Sequence, residues 1–274
     1  SLDDRPMVQM HSPTQILIDD VYERGYGGIV MNVAWANDYL NNPRAWANFA
    51  SCVDYAVGLG MHVWIYDEYG YPSGAAYCQT LKGNPEYEAL GLVPGYAAVP
   101  AGETATVELL YGHTRIEAAY IYEGSSVSSM DLSSAEDVSS LIEADGSSVT
   151  YANRSGTDRI LVAYMSKRWY ENTHSMENWY AQQRYINMLD PEPTAKFLDL
   201  THEKYFEAVG ELFGKGIQAF FTDEPALQGS YFEISDRPRT VLDEPDPNIP
   251  IVESLNYSSA LFERFKEVYS YDLK

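Results

Sequence analysis

Cysteine and long apolar runs are scarce in this 274-residue chain. Its two cysteines, Cys52 and Cys78, have no metal-ligand spacing and do not make a disulfide framework. No apolar run approaches the roughly 20 residues that a membrane-spanning helix needs. The first residues, Ser1-Leu-Asp-Asp, lack the basic and apolar pattern of a signal peptide. We therefore expect a soluble globular protein without a membrane partner, and no leader assigns it to a compartment.

Basic residues are also few. The chain has 18 Lys and Arg against 40 Asp and Glu, which gives a formal net charge of −22. This excess of negative charge repels phosphate backbones, because nucleic-acid binding depends on Lys and Arg that neutralise phosphates. Nucleic acid is therefore not an expected partner, whereas a neutral substrate is compatible with the charge.

Tyrosine, by contrast, is abundant, with 23 residues beside 5 Trp. Such amphipathic rings can stack on the apolar face of a sugar while their polar edges bond its hydroxyls. Most of them are expected to serve in packing, so the composition favours a glycan ligand without identifying the residues that bind it.

Two apolar runs each end in an Asp-Glu pair. These are Met61–Tyr66 before Asp67-Glu68 and Ile217–Thr222 before Asp223-Glu224. Each run is predicted to be a buried strand, and two such endings on neighbouring parallel strands would direct their carboxylates into one cleft. Paired carboxylates around a cleft perform glycoside hydrolysis. The alternative for each pair is a structural role, as a helix cap or an arginine partner.

Strands and helices are predicted to alternate along most of the chain. Strands are expected near 6–11, 29–33, 61–66 and 217–222, and helices near 12–24, 44–59, 190–214 and 258–269. Ser12 is the predicted cap of the first helix. The alternation predicts an α/β fold of the (β/α) TIM-barrel type. A complete barrel has eight strand–helix units in about 250 residues, and only four such units are predicted here. We therefore expect this chain to be the N-terminal portion of a barrel. A missing C-terminal half or a homo-oligomer would complete it.

The pattern changes after the third strand. Short alternating runs replace helical spacing at 104–111, 116–122 and 159–164. We therefore predict a β-rich insertion over 92–166, and a barrel portion that comprises 1–91 and 167–274.

Two stretches resemble a known family. Gly60-Met-His-Val-Trp-Ile-Tyr-Asp-Glu-Tyr-Gly-Tyr-Pro-Ser-Gly74 and Phe221-Thr-Asp-Glu-Pro225 are similar to segments of bacterial α-L-rhamnosidase-type glycoside hydrolases and their uncharacterised relatives. The similarity extends over residues 1–91 and 167–225. It implies a (β/α)8 barrel that acts on a neutral oligosaccharide or glycoside. It also implies that Glu224 takes an acidic catalytic position at the end of the fourth strand.

Glu224 is the candidate general acid. It would protonate the departing glycosidic oxygen, which requires a pKa raised by burial or by a nearby carboxylate such as Asp223 or Asp67. Asp223 is expected to cap or orient. Asp67 and Glu68 are expected to line the floor of the cleft or to bind substrate hydroxyls. Because the family takes its second catalytic carboxylate from a later strand, either one of this pair substitutes for it or the chain is incomplete.

Five further residues are predicted to bind the sugar. Trp35, Tyr69 and Tyr71 would stack on it. His11 and Asn32 lie at the ends of the first two strands and could contact its hydroxyls, although packing or capping is the better interpretation of His11 alone.

No cofactor and no metal site is predicted. A calcium site needs about six to eight oxygen ligands, and no loop offers a compact Asp-x-Asp series with glycine. Two other functions stay open. One is a carbohydrate-binding or structural domain without catalysis, and the other is an enzyme in which Asp67, Glu68, Asp223 and Glu224 hold a divalent metal.

Overall fold

The computed structural model describes residues 4–33, 39–77, 79–168, 185–225, 248, 252 and 254–273. These residues belong to two compact units. Unit 1 contains the described residues up to 88 together with 185–225. Unit 2 contains residues 89–168 together with 248, 252 and 254–273.

Strands outnumber helices in the described part of the chain. The strands are β1 (Met7–His11), β2 (Gly28–Asn32), β3 (His62–Tyr66), β4 (Leu90–Val99), β5 (Thr104–Glu108), β6 (Arg115–Glu123), β7 (Asp131–Asp137), β8 (Ser148–Ala152), β9 (Arg159–Arg168), β10 (Ile217–Phe221) and β11 (Leu255–Tyr257). The α-helices are α1 (Gln15–Glu23), α2 (Pro43–Gly58), α3 (Pro191–Leu200), α4 (His202–Val209) and α5 (Leu261–Tyr269). None of these helices is long and apolar enough to cross a membrane.

A four-stranded parallel sheet organises unit 1, in the order β1-β2-β3-β10. The strands are short apolar runs, and the side chains of Ile29, Met31, Val63 and Ile65 in its two central strands are fully buried. Because all four strands run in one direction, their carboxyl ends lie at the same edge of the sheet. This carboxyl edge carries His11, Asn32 and both Asp-Glu pairs.

Helix α2 illustrates why the predicted helices form. Its buried residues recur at helical spacing and are Ala45, Phe49, Cys52, Val53 and Ala56. Asn42 is its N-cap, and the side-chain oxygen of Asn42 accepts hydrogen bonds from the backbone amides of the second and third helical residues. The helix predicted over 44–59 is thus confirmed, with both ends one residue earlier.

Two helix details differ from the prediction. Thr14, and not Ser12, is the N-cap of α1, and its side chain accepts a hydrogen bond from the amide of Leu17 at 3.3 Å. The helix predicted over 190–214 is divided at Thr201, which has φ −120° and ψ −74°. A helix cannot run through these angles, so α3 ends before this residue and α4 begins after it.

Unit 2 is antiparallel. Five strands form one sheet in the order β11-β4-β9-β6-β7, and β5 pairs with β8 in a second sheet. An apolar cluster forms its core and includes Ile116, Ile121, Val149, Leu161 and Met165. Phe262 of α5 packs against a second cluster in the same unit, which includes Tyr120 and Tyr122.

The predicted TIM-barrel type of fold is wrong. The described residues contain a parallel sheet of only four strands, and the other seven strands pair antiparallel, so no (β/α)8 pattern is present among them. The alternation from β1 to β3 misleads because a small parallel sheet satisfies it as well as a barrel does. After β3 the chain enters the antiparallel strands of unit 2 and returns to the parallel sheet only for β10.

Candidate functional site

The two Asp-Glu pairs lie at the carboxyl edge of the parallel sheet, on neighbouring strands. β3 and β10 are paired in parallel, with Tyr66 opposite Phe221 at their last residues. The backbone amide of Asp67 donates to the carbonyl of Phe221 at 3.1 Å, which continues the pairing past the end of β3. The Asp67-Glu68 and Asp223-Glu224 segments therefore leave the sheet side by side.

Glu68 is fully buried and organises the loop of residues 69–77. Its Oε1 accepts hydrogen bonds from the backbone amides of Gly74 (2.5 Å) and of the next residue (2.9 Å), and its Oε2 accepts one from Tyr77 (3.4 Å). Burial, reinforced by the charge of Asp67, raises the pKa of Glu68 to about 8, although the three amides oppose this shift. In this structure Glu68 is therefore part of the loop's interior.

Asp67 is also fully buried, and only one of its oxygens is hydrogen-bonded by a neighbouring side chain. The hydroxyl of Ser73 donates to Oδ1 at 2.7 Å, whereas Oδ2 has no hydrogen-bond partner within the described residues. Burial raises the pKa of Asp67 to about 6. The Ser73 hydroxyl opposes that shift, and the negative charge of Asp223 adds to it. The carboxyl group therefore takes up a proton at a higher pH than an ordinary aspartate does.

Asp223 is half-buried and is tied to the 69–77 loop by its backbone. Its carbonyl accepts a hydrogen bond from the amide of Ser73, and its own amide donates to the Ser73 hydroxyl, both at 2.8 Å. Its Oδ2 accepts a hydrogen bond from the Tyr66 hydroxyl at 2.8 Å. Burial and this bond raise the pKa of Tyr66, so the hydroxyl keeps its proton and stays a donor. The Asp223 carboxylate is thereby fixed against the end of β3.

Glu224 is exposed and has an unusual backbone conformation. Its φ of 41° lies in the left-handed region, which costs about 1 kcal/mol or more for a residue other than glycine. The hydroxyl of Tyr71 donates to its Oε2 at 2.6 Å. The burial expected of a general acid is thus found at Asp67 and Glu68, and not at Glu224.

The predicted aromatic contacts lie partly on the 69–77 loop. Tyr69 and Tyr71 are half-buried there. The rings of Tyr69 and Tyr77 are parallel, with an interplanar angle of 2° and centroids 5.6 Å apart. Trp35 lies outside the described residues. Two tyrosines of the loop therefore stack on each other, and a third bonds the exposed carboxylate.

Asn32 and His11 form a hydrogen-bonded pair at the carboxyl edge. Asn32 is fully buried, and its Nδ2 donates to the backbone carbonyl of Glu68 at 2.7 Å. Its Oδ1 therefore faces His11 and accepts from Nδ1 at 3.1 Å, which assigns the proton of the imidazole to that nitrogen. His11 is exposed, and its ring meets Tyr66 edge-on with centroids 5.7 Å apart. Asn32 thus supports the loop, whereas His11 lies at the rim.

Ser73 and Tyr185 belong to the site but are not predictable from the sequence. Ser73 contacts both Asp67 and Asp223, although a serine in a Pro-Ser-Gly turn ordinarily signals only local backbone bonding. The hydroxyl of Tyr185 donates to the carbonyl of Ser73 at 2.5 Å from 112 residues further along the chain. Only the pattern Tyr-Pro-Ser-Gly, which begins three positions after Glu68, could have drawn attention to Ser73.

Among the described residues, no three His, Cys, Asp or Glu side chains are grouped so that they could hold a metal ion. This finding includes the four acidic residues of the site.

A separate groove of about 860 Å³ is lined by residues that include Asp54, Phe206 and Lys215. Lys215 precedes β10, whereas the acidic pair follows it, so this groove and the carboxyl edge lie at opposite ends of that strand. The groove contains none of the candidate residues.

Comparison with known proteins gives a distant likeness in structure and none in sequence. No family model matches the sequence, and no curated protein matches it. The structure of a rhamnosidase from Novosphingobium sp. PP1Y is similar, with a TM-score of 0.53 and 12% sequence identity over 99% of this chain. The match covers 41% of that protein, so this chain spans less than half of its length. The chain is therefore distantly similar in fold to part of a rhamnosidase.

Proposed function

We propose that this chain is part of a glycoside hydrolase that acts on neutral glycans, with Glu224 as the general acid. The observation that carries the proposal is the meeting of two Asp-Glu pairs on neighbouring parallel strands, Asp223 and Glu224 accessible and Asp67 and Glu68 buried. In α/β folds, ligands bind outside the carboxyl ends of parallel strands. The likeness in fold to part of a rhamnosidase supports the same class of reaction.

Accessibility separates the roles of the four carboxylates. A general acid has to reach the glycosidic oxygen, which a fully buried side chain cannot do. Glu224 is exposed, and the Tyr71 hydroxyl orients its carboxyl group. When Glu224 gives its proton to the departing oxygen, the same hydroxyl stabilises the carboxylate that forms. The Tyr66 hydroxyl holds Asp223, which supports an orienting role for this residue at the end of β10.

A screen of glycosides tests this proposal. The complete protein is assayed with aryl glycosides that include α-L-rhamnoside, and with alkyl glycosides of the same sugars. Wild-type protein is expected to hydrolyse at least one sugar series. Glu224→Gln is expected to lower kcat on the alkyl glycoside by about 10²- to 10⁴-fold, because a poor leaving group depends on protonation. The loss on the aryl glycoside is expected to be much smaller.

The matched control is Glu207→Gln, which removes an exposed carboxylate from α4 in the same unit. Its kcat is expected to equal that of the wild type within about twofold. Equal turnover of the alkyl glycoside by Glu224→Gln and wild type would remove Glu224 from the role of acid.

A carbohydrate-binding domain without catalysis is the second candidate. The stacked rings of Tyr69 and Tyr77 on the 69–77 loop favour it, since aromatic faces bind sugars without any reaction. Calorimetric titration with the oligosaccharides of the same sugars distinguishes the two functions. Saturable binding without release of free sugar supports the binding domain, whereas hydrolysis eliminates it.

A further inference from the structure

Ser73 uses every polar group that it has. Its hydroxyl donates to Asp67 Oδ1 at 2.7 Å and accepts from the amide of Asp223 at 2.8 Å. Its own amide donates to the carbonyl of Asp223 at 2.8 Å, and its carbonyl accepts from the hydroxyl of Tyr185. The residue is buried, so water does not substitute for these partners. Ser73 therefore joins the end of β3, the 69–77 loop and the end of β10.

We propose that Ser73 is a positioning residue whose hydroxyl holds the Asp223–Glu224 segment in place for the reaction, while Asp67 fixes the direction of that hydroxyl. This inference rests on the proposed function, because the reaction that it serves is the one assigned to Glu224.

The direction of the hydroxyl follows from its partners. A serine hydroxyl has one proton and two lone pairs. Since a carboxylate only accepts, the proton points at Asp67, and a lone pair is left to face the amide of Asp223. Without Asp67 the hydroxyl could rotate, and the amide would lose a fixed acceptor. Asp67 thus acts through the Ser73 hydroxyl, although its own side chain is fully buried.

The position of Glu224 depends on the hydrogen bond between the Asp223 amide and the Ser73 hydroxyl. Glu224 is the residue after Asp223 and has a φ of 41°, which an exposed glutamate does not prefer on its own. The hydrogen bonds on either side of Asp223 oppose relaxation of this angle. A displacement of about 1 Å at a catalytic group can lower a rate by about 10²-fold.

The loop has other supports, so the hydroxyl can be removed without dismantling it. The Glu68 carboxylate binds three of the loop's amides, and the hydroxyl of Thr80 donates to two of its carbonyls. Ser73→Ala removes the hydroxyl and retains the backbone bond from residue 73 to the carbonyl of Asp223. The variant therefore tests one hydrogen-bonding group.

The experiment compares Ser73→Ala, Ser73→Thr and the wild type in the complete protein. The matched control is Thr201→Val, which also removes a buried hydroxyl from unit 1, one that donates to the carbonyl of Phe197. Two quantities are measured: kcat and KM on the glycoside that the wild type hydrolyses fastest, and hydrogen exchange of the backbone amide of Asp223. If Ser73→Ala does not fold, Ser73→Cys replaces it, because a thiol keeps the volume but is a weak donor and acceptor.

Ser73→Ala is expected to lower kcat by about 10- to 100-fold with KM within about twofold. Exchange of the Asp223 amide is expected to accelerate by about tenfold, which corresponds to the loss of one hydrogen bond. Ser73→Thr retains the hydroxyl and is expected to restore kcat to within about threefold of wild type. Thr201→Val is expected to lower the unfolding temperature without changing kcat.

The outcomes separate the two proposals. Unchanged kcat and unchanged exchange in Ser73→Ala would overturn the role of Ser73 and leave the glycosidase intact. The role of Ser73 would also be overturned if Ser73→Ala and Thr201→Val lowered kcat equally and Ser73→Ala left exchange of the Asp223 amide unchanged. If the wild type hydrolyses no glycoside, the proposed function fails, and exchange of the Asp223 amide alone decides whether Ser73 holds this segment.

Discussion

The two units differ in whether they bury acidic side chains. At the carboxyl edge of unit 1, the side chains of Asp67 and Glu68 are fully buried. In unit 2, none of the described Asp and Glu side chains is buried, and the core around Ile121 and Leu161 is apolar. Burying a carboxylate is costly unless hydrogen bonds replace its water, whereas burying an aliphatic side chain is favourable. The buried carboxylates of unit 1 therefore lower its stability, whereas the buried aliphatic side chains of unit 2 raise the stability of that unit.

The distribution of hydrogen bonds shows how unit 1 limits that cost. Glu68 accepts hydrogen bonds from three backbone amides, and Asp67 accepts one from the Ser73 hydroxyl. A buried carboxylate oxygen that has no hydrogen-bond partner is destabilising, and Oδ2 of Asp67 has none within the part of the chain that the structure describes. Folds retain such groups chiefly where they serve a site, which agrees with the roles proposed for this edge.

The largest expected effect separates stability from activity. Leu161→Ala in unit 2 deletes a fully buried side chain from the apolar cluster and is expected to lower the free energy of unfolding by about 2–5 kcal/mol. The kcat of the folded protein is expected to be unchanged, since this residue belongs to the core of unit 2. Urea unfolding and glycoside turnover measure the two quantities. A fall in kcat without a fall in stability would contradict the separation.

A pH-dependent effect of intermediate size is expected at Asp67. Its pKa in the folded protein is raised from 3.8 to about 6, so the folded state binds this proton more tightly than the unfolded state does. The free energy of unfolding contributed by Asp67 therefore falls as the pH rises from about 4 to about 6, by about 1.4 kcal/mol for each unit of pKa difference. Asp67→Asn does not titrate and avoids this loss.

Urea unfolding at several pH values measures the effect. The stability of Asp67→Asn relative to wild type is expected to increase through that interval and then level off. The matched control is Asp54→Asn, an exposed aspartate of α2 in the same unit. A difference between Asp67→Asn and wild type that does not vary with pH would show that Asp67 is not perturbed by burial.

The smallest effect is expected from removal of the Tyr71 hydroxyl. Tyr71→Phe removes the hydrogen bond from the Tyr71 hydroxyl to Oε2 of Glu224. Because this contact is exposed, a water molecule can replace the hydroxyl as donor. Turnover is therefore expected to fall by only about 3- to 10-fold, with no change in unfolding temperature. Tyr96→Phe on β4 of unit 2 is the control and should leave turnover unchanged. A loss as large as that of Glu224→Gln would give Tyr71 a direct role in proton transfer.

The sequence predicts the strands of the site well. The expected strands at 61–66 and 217–222 are β3 and β10, and each observed strand ends within one residue of its predicted end. Their pairing was expected from the repeated Asp-Glu ending and is present in the parallel sheet. The enclosing architecture was not predictable, because strand–helix alternation specifies parallel neighbours but not the number of strands in the sheet.

The contacts within the site show where prediction from sequence ends. The tie from Ser73 to Asp223 joins residues 150 positions apart. No periodicity or local spacing marks such a contact, since it depends on the return of the chain to β3 after unit 2. Glu224 is exposed and Glu68 is buried, although each is the second residue of an Asp-Glu pair that follows an apolar strand. This difference also depends on how distant segments of the chain pack around the two side chains.

The sequence by itself determined the strands of the parallel sheet, most helices and the presence of two acidic pairs at strand ends. Apolar spacing acts over a few neighbouring residues, so local composition specifies these elements. The tertiary structure alone decided which carboxylates are buried, which one faces solvent and how Ser73 joins them. These properties arise because desolvation and hydrogen bonding depend on every segment packed around a side chain, and those segments are distant in the sequence.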